Sequence, residues 1–429
     1  MTDERSYIEG FNWRRPGAKE LTDAVVLHQK LLSGRPGGRR LMMVLTDLRG
    51  VDLTGLNLSD AELTGSRLDQ AVLVGTRLKG ANLFAGDLRL ANLQDADLAR
   101  ADMRGVSLRG ANLTRTKMQQ VDLREAVLAV YQGGRPLPAS FDGRIPNLTA
   151  AIAVETDLSE SRLNKVIALR TDFTDCVLSG ADLRGADLRG ANLRGADLSN
   201  ADLQECRLQE ADFTGAVLTG ARLRGAEVKD ATFVGSVLDP LAIGDLARSG
   251  ALLTREAAGA LPPLEVVAGH EGWVSSSGAS GQRANLSGRD LSRLDLSGRT
   301  LTAAVLSHAR CVGVSFAGAS LVMADLEGAD LQQADLSRAD LRGANLERAH
   351  LAQAVLRGAD LRPLASTEDA SRRWPTRLSR ARLWQADLRD ANLREAVLGR
   401  ADLSGSDLRG ARMDGWLADG AILAGIRTD

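Results

Sequence analysis

From Ser179 to Leu198 the chain reads Ser-Gly-Ala-Asp-Leu-Arg-Gly-Ala-Asp-Leu-Arg-Gly-Ala-Asn-Leu-Arg-Gly-Ala-Asp-Leu, repeating every five residues without an error. A strict period of five excludes the ordinary elements. Five residues turn an α-helix by about 500°, which scatters the leucines over every face. In a flat strand, side chains alternate with a period of two, so Leu183 and Leu188 point to opposite sides. The remaining solution is a coil in which each unit forms one short side and then turns a corner, so that every central Leu points at one axis. Such a chain is a solenoid.

The unit Ala181-Asp182-Leu183-Arg184-Gly185 resembles that of the pentapeptide-repeat family, Ala-Asp/Asn-Leu-X-Gly. The resemblance spans roughly three quarters of the chain. It implies an all-β solenoid, a right-handed quadrilateral β-helix with four units per coil, whose central residue and the residue two before it point inward. About fifteen coils in interrupted blocks, with short helical caps, are expected.

Composition agrees with a thin core, because aromatics are only 3% of the residues and glycine reaches 44. The net charge of −1 comes from 54 basic and 55 acidic side chains, and so balanced a total disfavours direct nucleic-acid binding. No apolar run is long enough for a membrane span, and no signal peptide opens the chain; a bacterial, cytoplasmic protein is expected. Cys176 and Cys206 each lie two before a central Leu and Cys311 is itself central. All three are expected inside, which argues against disulfides.

The blocks define the domains. Residues 1–45 form an N-terminal extension and a helical cap, with Leu21, Val25 and Leu32 on one face. Residues 46–240 form a first solenoid, broken at 131–146 by Pro136, Pro138 and Pro146. That break either replaces a coil or loops out from a corner. Residues 241–282 form a linker and second cap, read as a helix from Leu241 to Leu261 that Pro262 and Pro263 stop, followed by a Ser/Gly stretch. Residues 283–429 form a second solenoid, broken at 363–375. His28 to Ser33 followed by Gly37-Gly38-Arg39 resembles His270 to Ser275 followed by Gly281-Gln282-Arg283. We read the chain as a tandem duplication of cap, rod, break and rod.

No motif carries catalytic chemistry, so neither enzyme activity nor a metal or cofactor is expected. The recurring Asp182, Asp187, Asp197 and Asp202 follow from the repeat, and a convex rod offers no pocket to separate two pKa values. His308 and His350 fall at outward positions, and no Cys or His spacing matches a metal site.

The family resemblance also implies a DNA-mimic alternative, because some members occupy a type II topoisomerase with an acidic rod that imitates duplex DNA. Duplex DNA carries one negative charge per ~1.7 Å. Here residues 46–130 hold eleven acidic and eleven basic side chains, 147–240 fifteen and ten, 283–362 nine and ten, and 376–429 eight and nine. Arg184 and Arg189 follow Asp182 and Asp187 closely enough to neutralise them.

A rigid protein–protein scaffold or adaptor fits better, with a secretion-associated effector or loading adaptor as a further alternative. Function is then expected where the rhythm fails. The candidate partner-binding residues are Tyr131, Phe141, Arg372, Arg373, Trp374, Trp384 and Trp416, and the C-terminal coil is the expected site of any homodimer contact.

Overall fold

The computed structural model describes residues 13–429 apart from 127, 133–134, 140–144, 240–241, 243–245, 247, 254–260 and 367–371. It is a right-handed quadrilateral β-helix. One unit shows how it is built. Ala181 and Leu183 are each 1% exposed, and the Leu183 N–H donates to the Asp202 carbonyl at 2.9 Å while the Asp202 N–H donates to Ala181 at 2.9 Å. The partner of Asp182 in the parallel ladder is Asp202, twenty residues on, so four units close one coil. A fully buried Leu is worth roughly 1.5–3 kcal/mol, and every coil supplies several.

The corner explains the glycines. The Ala186 N–H donates back to the Leu183 carbonyl at 2.9 Å, closing a turn whose third residue, Gly185, has φ 66°. That left-handed value is what a type II turn requires, and glycine reaches it without a Cβ clash. Other residues also accept it, as Gln120 (φ 57°) and Asp175 (φ 56°) do. Proline cannot, because its ring fixes φ near −65°. Pro363 occupies such a corner position, and the coil leaves its path there.

The chain separates into two compact units, residues 1–232 with 238–251, and residues 233–237 with 252–429. In the first, the ladder runs from Met42–Glu62 to Asp212–Thr232; in the second, from Asn285–Val305 to Asp407–Arg427. Each ladder crosses its break. Ser107 pairs with Asn147, forty residues on, and Asn345 pairs with Arg377, thirty-two on. The breaks are therefore insertions of twenty and twelve residues that loop out from a corner. They replace no coil. The first carries an antiparallel hairpin, β1 (Leu128–Gln132) with β2 (Arg135–Ala139), and the second a shorter one, β3 (Leu364–Ala365) with β4 (Arg373–Trp374).

Helix α1 (Ala18–Leu32) buries Val25 and His28 over the start of the first ladder. Helix α2 (Pro263–Ser275) buries Val267 and His270 in the same way. This corrects the expected helix boundary. Pro262 and Pro263 begin α2, because a proline in the first turn gives up an N–H that has no partner there anyway. Upstream, Ala242, Leu246 and Arg248 are helical, but the chain turns at Ser249 and Gly250 and is extended at Leu252, so no single helix runs from Leu241 to Leu261.

All three cysteines are buried free thiols. Burial pushes the Cys206 thiol up to about 12 and raises Cys176 and Cys311 as well. The folded chain should therefore resist iodoacetamide at pH 8, and mass spectrometry should find alkylation only after denaturation.

Candidate interaction surface

The outward face of each unit is governed by the residue before the central Leu. Asp182 Oδ1 accepts the Arg184 N–H at 3.2 Å and Arg184 Nε at 2.9 Å, while Oδ2 accepts Nη2 at 2.7 Å. The carboxylate thus braces its own corner and is clipped by a bidentate guanidinium. Among the described residues this clip occurs ten times, nine as Asp-Leu-Arg and once as Asp102-Met103-Arg104. Where a hydroxyl takes the Arg position it donates instead, as Ser404 does to Asp402 at 2.6 Å. The hydrogen bond from Arg49 holds the Asp47 carboxyl down at about 2. In each clip the arginine sits directly on its own carboxylate and offsets its charge locally.

The second insertion is folded back on the rod. A Cβ at Gly343 would press on Met323 Sδ, Leu364 Cβ and the Trp374 carbonyl, so this glycine seats the hairpin against its corner. Arg373 Nη1 donates to both oxygens of Glu395, at 2.8 and 2.9 Å. The Trp374 side chain is 43% exposed. Arg372 is exposed beside it. The second break therefore brings three of the expected residues together, Arg373 and Trp374 on β4 and Arg372 just before it.

The other candidates are dispersed. Trp384 stands one after Leu383 and is half-buried against His350, ring centroids 6.0 Å apart. Trp416 faces inward and packs on the end of the second core. Tyr131 lies on β1, and Phe141 falls outside the described residues. His350 is not at the surface as expected. It is 4% exposed, with Nδ1 3.7 Å from Oδ1 of the equally buried Asp330 one coil away. Its position in the unit is outward, and its burial depends on neighbours such as Trp384 that are 34 residues distant in sequence.

Among the described residues no group of three His, Cys, Asp or Glu side chains is placed to hold a metal ion, and no helix is long and apolar enough to cross a membrane.

Eight stretches match pentapeptide repeats, at residues 46–83, 87–128, 147–180, 171–209, 201–239, 295–333, 334–362 and 376–415. Among solved structures, the pentapeptide-repeat protein Rfr23 from the cyanobacterium Cyanothece 51142 is 31% identical over 31% of this chain and 91% of its own, with a TM-score of 0.27. A pentapeptide-repeat protein of the Arabidopsis thaliana thylakoid lumen is 33% identical over 26% and 70%, TM-score 0.23. QnrB1, a plasmid-mediated fluoroquinolone resistance protein, is 22% identical over 47% and 95%, TM-score 0.27. A search of curated proteins finds no match.

Proposed function

The chain belongs to the pentapeptide-repeat family, and from that premise we propose that it is a non-enzymatic scaffold that presents its two inserted hairpins to protein partners from rigid rods. One observation carries this reading. Both ladders continue in register across their insertions, so the coil ladder pairs without the inserted residues, although closing a loop of this length costs entropy. A feature kept outside the stacking is free to serve recognition. The second insertion presents an exposed Trp374 beside Arg372 and Arg373, side-chain types that dominate protein interfaces.

The rod faces support the reading from the other side. The ten Asp–Arg clips neutralise the acidic rows that a DNA mimic needs. At micromolar concentration the protein should neither inhibit DNA gyrase supercoiling nor protect gyrase from a quinolone; either effect would favour the mimic. The positive test is affinity capture with the full chain and with a chain lacking residues 364–375, in which Pro363→Gly restores the corner. The scaffold reading expects a partner held by the first and lost by the second, and equal capture would count against it.

A further inference from the structure

In the body of each rod, the N–H of the residue two before a central Leu donates to the carbonyl of the preceding central residue, as Ala186 does to Leu183. The first unit of a rod has no predecessor. In the first rod that unit starts at Leu41, and its N–H donates to His28 Nδ1 at 3.1 Å. In the second it starts at Ala284, whose N–H donates to His270 Nδ1 at 3.1 Å. A helical imidazole takes the place of the missing carbonyl in both. We propose that α1 and α2 are acid-released latches, each held on the open end of its rod by a neutral histidine and set free when that histidine is protonated.

The two latches are built alike. His28 is 1% and His270 0% exposed. Arg39 N–H donates to the Leu27 carbonyl at 3.0 Å and Gln282 N–H to Gly269 at 3.4 Å, so the structural match sets Gly38-Arg39-Arg40 against Gly281-Gln282-Arg283, one residue later than sequence alone aligns them. Arg40 Nε donates to the Asp60 carbonyl, and Arg283 Nε to the Ala303 carbonyl at 2.5 Å, each twenty residues on. Each arginine thereby sits beside its imidazole.

A ring that accepts at Nδ1 carries its proton on Nε2. A second proton turns the acceptor into a donor facing another donor, and the bond is lost. The surroundings resist that proton. Burial is the main cause of the lowered pKa of both histidines; Arg40 adds to it at His28 and Arg283 at His270. The Ser59 carbonyl and Asp60 oppose it at His28, and the Thr302 carbonyl and Glu271 at His270. Glu271 is already committed to Arg299, at 2.8 Å, and Trp273 stacks on His270 at 5.5 Å.

The sign follows from linkage. An imidazole held below its ordinary value stabilises the latched state at neutral pH. That stability declines as pH falls below about 6.5, the open state gaining up to about tenfold per pH unit until the latched form itself titrates. Release uncovers an unpaired coil edge, a surface prone to pairing with another strand.

Hydrogen exchange on the full chain at pH 7.5 and 5.0, corrected for intrinsic rates, tests this. Protection of residues 18–32 and 263–275 should fall about ten- to thirtyfold in acid while residues 181–203 keep theirs. His28→Asn and His270→Asn, which keep an acceptor that does not titrate, should abolish the acid effect. His28→Leu and His270→Leu should lower protection at both pH values. Protection of both helices that does not change with pH in the wild-type chain would overturn the proposal, as would an undiminished acid loss in the Asn variants.

Discussion

Leu193→Asp should disrupt the first rod. Leu193 has no exposed surface and sits in the uninterrupted run of repeats. Losing its burial costs about 2–5 kcal/mol. The new carboxylate finds no partner among the surrounding Leu and Ala side chains, which adds several kcal/mol. A sum above about 5 kcal/mol is exceptional for one residue. Because each coil touches only its neighbours, stability accumulates coil by coil, and one failed coil cuts the rod in two. Thermal melting followed by circular dichroism should show loss of the cooperative transition of the first unit. Arg194→Ala, one residue away, removes an exposed pair with Asp212 at 3.1 Å and should change stability by less than about 1 kcal/mol. A normal melt for Leu193→Asp would mean that the inward register is wrong.

Removing far more of the chain should cost nothing. Deleting residues 126–145 joins Glu125 to residue 146 and restores a twenty-residue coil spacing from Ser107. Pro146→Ala belongs in the same variant, because the residue before a proline is kept out of the helical region and the corner needs a left-handed one. Closing a loop of twenty residues costs about 2–3 kcal/mol in entropy, so the melting temperature should hold or rise, with an unchanged β-sheet dichroism signal. A drop of more than about 5 °C would show that the hairpin supports the rod.

The contrast between these variants mirrors what the sequence makes legible. Where the unit is perfect, five letters determine the inward Ala and Leu, the Asp brace and the corner glycine, and the neutralising Arg at Arg184 and Arg189 follows from spacing alone. Local repetition is what makes this possible, since the determining contacts lie within one unit or one coil. Legibility fails where contacts are long and particular. The boundary of α2 turned on whether Pro262 and Pro263 stop a helix or start one, and both readings are chemically sound until the upstream turn at Gly250 is seen. His350 has an outward position in its unit, yet Trp384, beyond a twelve-residue insertion, helps bury it. The pairing of His28 with His270 was visible as a motif. Their role as amide acceptors was not, because it depends on how the chain returns from helix to first coil.

The same division underlies the proposed function. The repeats explain the rods, and the insertions are what the rods leave unexplained. Trp374 and Arg373 are tied to the rod by Gly343 and Glu395, which fixes the loop's direction and lowers the entropy a partner must overcome on binding. The rod would act as a mount, and the insertions as the parts offered to a partner.

The most direct test of that claim is site-specific photo-crosslinking in cells, with a photoreactive phenylalanine placed at position 374, at position 131, or at Ser199 on the face of the first rod. The account predicts a discrete partner adduct from 374 or 131 and none from 199. Adducts from 199 alone would place recognition on the repeat itself and contradict it.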